Sequence, residues 1–420
     1  MNRQSAVDHS DVLVLGGGVI GLSSALELLR AGRSVRVLEK NTVGAGASHG
    51  NCGTITPHLL PLAAPGTVAK GLRWLLKPDA PLRIAPKPDL ALIRWLLAFS
   101  GHCNEREFRR AARVKTRLLL ASRALLPELI AREKLDCEFV ENGHLIAFRN
   151  PALLAKEAPT VALWRELGVH VEELDGAACR ALEPALNDSI VGGWHHPDEA
   201  HLRPDRYVNE LARAVRAHGG IITEHVQVTA CERGGTHLQS VTTGVGRFTA
   251  DTLVMALGAW TPGLGRQLGL RLPIQAGKGY SITYSRPENP PQLPLILEER
   301  SVCVSTWGSG YRLGSTMEFA GFDTTLNRRR LDALVRAAKE YLREPLGPGE
   351  EERWYGWRPM TPDDLPVIGR APGIDNLVIA TGHGMVGISL SAITGQLVSE
   401  IVCGKVPSID LAPFSPQRFG

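Results

Sequence analysis

No CxxC pair occurs in this sequence, and its seven cysteines, Cys52, Cys103, Cys137, Cys179, Cys231, Cys303 and Cys403, are scattered and odd in number. That excludes a disulfide framework and a zinc knuckle as organising devices, and it points to reduced thiols in a cytoplasmic compartment. The opening residues, MNRQSAVDHS, lack the apolar stretch of an export signal, so the chain reads as unexported. Apolar runs fall short of the ~20 residues a membrane-spanning helix needs. The best candidate, residues 376–402, is broken by His383, several glycines, Gln396 and Glu400. Charge of one sign is lacking too: 47 basic residues against 43 acidic leave +4, too little to indicate nucleic acid and enough to favour anionic substrates. Internal repeats and low-complexity linkers are missing.

What remains is an ordinary globular composition, 44% hydrophobic and 21% charged, over 420 residues, too long for one core and therefore expected to form two domains. Asp11 opens an apolar run, Val12 to Leu15, that suits a buried parallel strand. It runs into Gly16, Gly18 and Gly21, a GxGxxG turn. In a dinucleotide fold the first glycine permits the tight turn, the second lets a pyrophosphate approach the backbone, and the third allows close helix packing. Leu22, Ala25, Leu26 and Leu29 then mark one helix face, with Gly32 at its end. A second strand, Val35 to Leu38, ends in Glu39, placed to bind a ribose hydroxyl and to repel a 2′-phosphate. The helix start, including Val19 and Ile20, offers free N–H groups to the pyrophosphate. A small-residue segment, Gly44 to Gly53, follows, suited to close backbone approach to a ligand.

Three further segments stand in order along the chain: Leu253 to Trp260, then Gly356-Trp357-Arg358-Pro359-Met360-Thr361-Pro362-Asp363 with Pro366 to Gly369, then Asn376 to Gly387 (NLVIATGHGMVG). With the opening turn they resemble the D-amino-acid oxidase superfamily of flavoproteins, most closely its bacterial D-amino acid dehydrogenase branch, over nearly the whole chain. The resemblance implies an α/β fold: a Rossmann-type, glutathione-reductase-like FAD domain made of residues 1–60, 203–262 and 355–420. An inserted α+β substrate domain of mixed or antiparallel sheet would occupy 61–202 and 263–354. The residues agree with this: 204–219 reads as a helix leading to a strand around Val226 and Val228, Cys137 to Phe148 and Leu272 to Tyr284 alternate like strands, and 287–294 reads as a surface loop.

The cofactor implied is non-covalent FAD, held by Gly16, Gly18, Val19, Ile20, Gly21, Glu39, Lys40, Ser48, Asn51, Cys52, Gly53, Val226, Ala256, Gly258, Trp260, Arg358, Gly384, Met385, Val386 and Gly387. No cysteine stands in the last motif, Cys403 lies beyond it, and His49 is the one neighbour able to form a flavin bond. Arg358 is expected to grip a substrate carboxylate bidentately, the alternative being an ion pair with Asp363 or Asp364. Tyr280 is expected to close the pocket and donate to that carboxylate, the alternative being strand packing. His383 stands in the turn before the last helix, whose N–H groups would stabilise charge on the reduced flavin, and its imidazole is either catalytic or simply a buried, hydrogen-bonded ring.

The implied reaction is oxidation of a small amino or imino acid by hydride transfer from Cα to flavin N5. Electrons would pass to a quinone or an electron-transfer protein. Residues 388–393 lack the tryptophan and cysteine expected in the dehydrogenase branch, which leaves room for D-proline, cis-4-hydroxy-D-proline, glycine or sarcosine, the last two with oxygen as acceptor. Flavin domains acting on transfer RNA would carry a broad basic face that +4 does not supply. The run His195, His196, Asp198, Glu199 and His201 matches no standard ligand spacing, and no metal is expected. Tryptophan, leucine and cations mix in residues 72–77 and 93–97, as in membrane-surface helices, and Arg106, Arg109, Arg110, Arg113, Lys115 and Arg117 follow. The reading preferred is a helical excursion on the substrate domain with a solvated basic face. The other is peripheral attachment to the inner membrane. The oligomeric state is not legible.

Overall fold

The structure, a computed structural model, describes residues 8–75, 80–86 and 89–420. Met1 to Val7, Leu76 and Lys77, used in the sequence argument, lie outside the described residues. Two large sheets organise the chain. In the first, strand Asp8–Leu15 runs parallel between Gly246–Met255 and Val35–Leu38. Ile221–Thr223 extends the sheet beyond Val35–Leu38, and Leu377–Thr381 pairs with the end of Gly246–Met255. Parallel strands are covered on both faces, which is why these segments read as continuous apolar runs. Val12 and Val14 pack against helices Val19–Arg30, Pro204–Ala217 and Ser391–Val402, while Leu13 and Leu15 face the core of the opposite side. This is the Rossmann-type domain expected, with an antiparallel ribbon, Val228–Gly234 and His237–Thr243, on the start of Gly246–Met255.

The second sheet has nine strands and is mainly antiparallel. Near one edge of it, Gln275–Tyr284 lies between the edge strand Glu350–Met360 and Gly310–Phe319. Helix Arg328–Tyr341 covers one face through Leu331, Leu334, Ala338 and Tyr341, a helical spacing. All ten residues of Gln275–Tyr284 are therefore buried, rather than every second one. The expected strand from Cys137 begins only at His144. Val226 sits in the connection between Ile221–Thr223 and Val228–Gly234, its N–H donated to the Glu39 carbonyl.

Two boundaries differ from expectation. Glu350–Met360 pairs along its length with Gln275–Tyr284, so a division at residue 355 cuts a strand of the second sheet. Helix Glu105–Glu133 packs Ala111, Leu118, Leu119, Leu126 and Leu129 into the first core instead of riding on the second domain. Its basic face is only partly solvated: Arg109 and Arg113 pair with Glu166, and Lys115 is buried against Asp364 at 2.5 Å. No helix of the described residues is long and apolar enough to cross a membrane.

Candidate active site

At two of its three motif positions the opening turn admits only glycine. Gly16 has φ +111°, and a Cβ there would stand 2.5 Å from the Ala256 carbonyl oxygen. One on Gly21 would stand 1.9 Å from the Gly16 oxygen. At Gly18, by contrast, a Cβ would meet nothing nearer than the Ser48 hydroxyl at 3.5 Å, so this backbone is open towards the cavity for a different reason, the approach of a ligand. Gly18 caps helix Val19–Arg30, whose first turn carries no acid. Glu39 receives the Gly17 N–H at 2.7 Å and the Asn41 N–H at 2.9 Å, which fixes its carboxylate at the end of the second strand. Val19 donates to Ser48 Oγ at 3.2 Å, tying the small-residue segment to the helix start.

These elements line one cavity of about 1230 Å³ that runs from Glu39 past Ala256 and Gly258 to Arg358 and Met385. The expected cofactor residues Gly16, Gly18, Val19, Ile20, Lys40, Ser48, Asn51, Cys52, Val226, Trp260, Gly384 and Gly387 line it as well. Gly21, Gly53 and Val386 do not. Gly21 packs on Gly16, Gly53 on the Leu202 carbonyl, and Val386 lies in the first core. A slot this long, with a carboxylate at one end and a bare helix start beside it, fits an extended dinucleotide.

Arg358 reaches the cavity across Gly279, where a Cβ would stand 2.4–2.5 Å from three guanidinium atoms. Its Nη1 donates to the Thr316 carbonyl at 2.7 Å. That carbonyl is turned inward by an irregularity in Gly310–Phe319, where Ser315 (φ 128°) and Thr316 (φ 63°) take conformations rare for such residues. The rival ion pairs do not form: Asp363 is bound by Arg418 at 2.8 Å and Asp364 by Lys115. No carboxylate among the described residues pairs with Arg358, and burial lowers its pKa, against the pull of the Cys52 and Cys303 thiols. Cys303, with the Arg312 and Arg358 guanidinia, in turn holds the Cys52 thiol below its ordinary range. Beside Arg358 an apolar lobe is built from Trp95, Phe99, Phe319, Met317 and Met360.

Tyr280, the neighbour of Gly279, also lines the cavity, but its hydroxyl is engaged elsewhere. It packs with Ile282 and Tyr284 under helix Arg328–Tyr341 and donates its hydroxyl to Glu318 at 2.7 Å, so that group is not aimed at an Arg358-bound carboxylate. His383 is buried, bonded to the Thr394 hydroxyl at 3.0 Å and pushed by burial to a pKa of about 3. The last helix starts at Ser391, not directly after the Gly384 turn, and the Gly384 and Val386 N–H groups are used internally by Pro359 and His383. Met385, Gly387 and Ile388 line the cavity, and their N–H groups have no backbone acceptor among the described residues. Sequence reasoning missed Gly279 and Thr316. The GKGYS run and the β-branched residue before Met317 carried no distinct signal.

Residues 11–401 match the family model described as FAD dependent oxidoreductase, DAO. The chain belongs to the DAO family of FAD-dependent oxidoreductases. A protein named D-amino acid dehydrogenase from Rhizorhabdus wittichii is 35% identical over 97% of this chain and 100% of its own length. One of the same name from Cereibacter sphaeroides is 34% identical over 97% and 95%. Among solved structures, glycine oxidase from Geobacillus kaustophilus superposes with a TM-score of 0.79 at 24% identity, covering 98% of this chain and 99% of that one. L-proline dehydrogenase from P. horikoshii gives 0.74 at 18%, with 98% coverage of both. These structures share the fold.

Proposed function

We propose that this protein oxidises the Cα–N bond of a D-amino acid or cyclic D-imino acid whose carboxylate is gripped by Arg358. The observation that carries the reading is a guanidinium in the cofactor cavity with no carboxylate of its own. The apolar lobe beside it suits an uncharged substituent, and relatives with the name D-amino acid dehydrogenase match end to end. Bound FAD supplies the two-electron acceptor. The chain supplies orientation: Arg358 fixes the carboxylate, the Thr316 carbonyl fixes Arg358, and the Met385 to Ile388 turn presents N–H groups where negative charge develops. The α-hydrogen departs with its electron pair from a substrate whose amine is neutral, and water hydrolyses an acyclic imino product. His383, neutral and bonded to Thr394, positions the turn.

FAD is held without a covalent bond in this reading, because His49 is engaged by Glu352 at 2.8 Å and stands outside the cavity lining. The deciding experiment mixes the purified yellow protein anaerobically with D- and L-amino acids, D-proline, cis-4-hydroxy-D-proline, glycine, sarcosine and transfer RNA. Bleaching of the oxidised-flavin absorption by apolar D-amino or D-imino acids is expected, and bleaching only by L-amino acids or by RNA overturns the assignment. Acid precipitation of the same sample should leave a white pellet and a yellow supernatant.

For the electron acceptor we infer a membrane quinone. Helix Thr67–Leu75 buries no residue, and Val68, Leu72 and Leu75 are exposed at the cavity mouth, with Leu90, Ile93 and Leu97 exposed on helix Leu90–His102 nearby in the chain. Lys70, Arg73 and Arg94 intersperse this surface with cations, the composition of a peripheral membrane contact. Sedimentation with anionic vesicles should capture the protein, and Leu90→Asp with Leu97→Asp should abolish capture while dye reduction stays at the parental rate. Peroxide formed in step with substrate would show oxygen as the acceptor instead.

A further inference from the structure

At the wall of the same cavity, which His58 and Trp164 also line, three imidazoles form one stack. His58 lies between His196, with ring centroids 4.4 Å apart at 11°, and His144, at 5.0 Å and 30°. All three are buried, as is Glu199, and the edge of the stack faces that carboxylate. Nδ1 of His58 stands 2.7 and 2.8 Å from the two Glu199 oxygens, and Nδ1 of His144 stands 3.9 Å from one of them. One ligating atom from each of His58, His196 and Glu199 lies within 4.8 Å of the others. A tetrahedral shell with bonds of about 2.0–2.2 Å sets its ligand atoms ~3.4 Å apart, so binding draws these atoms together by about an ångström and turns the rings out of their stack.

The hydrogen bonding around the stack has the same character. His196 Nδ1 bonds the His170 carbonyl at 2.9 Å, which makes it the donor and leaves Nε2 with the lone pair. That Nε2 is buried and has no hydrogen-bond partner among the described residues, and neither does either nitrogen of His144. Leaving buried polar atoms unmatched is costly, and an imidazole whose far N–H is tied to a carbonyl is the arrangement metal-bound histidines adopt. Trp164 seals the site: its Nε1 donates to the His58 carbonyl at 2.8 Å, and its ring meets His58 and His196 edge-on. His195 and His201 are held elsewhere, by Glu172 and the Thr306 carbonyl.

We propose that His58, His196 and Glu199 bind one divalent cation of the zinc class in a buried, structural site, with His144 beside it. Two imidazoles and one carboxylate match zinc better than the oxygen-preferring magnesium or calcium, and a water completes the four-coordinate shell. The run from His195 to His201 supplies only two of the three ligands, which is why its spacing carries no motif. His58 follows strand Thr54–Ile55, which pairs with Ala200–His201, while His144 and His196 are paired neighbours on two strands of the second sheet. The ion would pin the segment leaving the first domain to the second sheet. This site is independent of the reading of the reaction.

The test uses the FAD-loaded protein, stripped with a chelator, exposed to equimolar Zn²⁺ and desalted. Mass spectrometric metal analysis should give one Zn²⁺ per chain, with Tm raised by about 5 °C, as for a tight ligand of the native state. His196→Gln and Glu199→Gln should retain under a tenth of that zinc and lose the Tm rise, with the flavin spectrum unchanged. Should either variant fail to fold, zinc-edge X-ray absorption of the parent protein decides: two imidazoles and two oxygens at about 2.0–2.2 Å are expected. No retained zinc, equal zinc in folded variants, or a shell containing sulfur overturns the proposal.

Discussion

Replacing Arg358 with methionine is expected to lower kcat/KM for the carboxylate substrate by about a thousandfold, because two charge-assisted hydrogen bonds together contribute roughly 4 kcal/mol. The loss should depend on the substrate's charge. An α-amide, which the parent enzyme handles poorly, should be turned over by the variant at nearly the parental rate, so that the acid-to-amide preference collapses. Flavin content should be unchanged, since the cradle of Gly16, Gly18 and Glu39 does not involve this side chain. Equal acid-to-amide preference in parent and variant would remove Arg358 as the anchor. Gly279→Ala tests the same geometry without touching a charge. Its methyl would stand 2.4–2.5 Å from the guanidinium, so Arg358 must move, and the acid preference should fall in the same direction by a smaller factor.

The first sheet was legible because each of its signals is local. A strand, a glycine turn, a helix and an acid-ended strand lie within the first forty residues, and their burial leaves little freedom in how they assemble. The same applies to Arg358, whose neighbours Gly356 and Pro359 mark it in sequence. What could not be read is which partner each group finds across the chain. Asp364 is reached by Lys115 from 249 residues away, and Asp363 by Arg418 from 55, so the local alternative of an Arg358–aspartate pair had no sequence signal against it. Tyr280 illustrates a different limit. Alternation separates faces only when one face is wet, and a strand buried on both sides gives no such contrast, which is how its hydroxyl comes to serve Glu318. His58 and Glu199 are 141 residues apart, and the pairing of Thr54–Ile55 with Ala200–His201 helps bring them together.

Lys115→Met should destabilise the protein by about 3–5 kcal/mol, the usual cost of leaving one member of a buried ion pair without its partner. The ammonium lies 2.5 Å from Asp364 Oδ2, with both side chains almost fully buried, and the same oxygen receives the Leu62 N–H at 3.1 Å. Asp364 also sits at φ 56°, a conformation held by this network and not by its own preference. Thermal unfolding should register the loss as a lowered Tm. Activity should report it as well, because the loop from Thr361 to Asp364 continues directly from the strand that carries Arg358. The double variant Lys115→Met with Asp364→Leu distinguishes the causes: an apolar pair of similar volume should recover much of the stability, since no buried charge then lacks a partner. If the single variant is as stable as the parent, the pair contributes nothing, and helix Glu105–Glu133 is held to the first core by its apolar face alone.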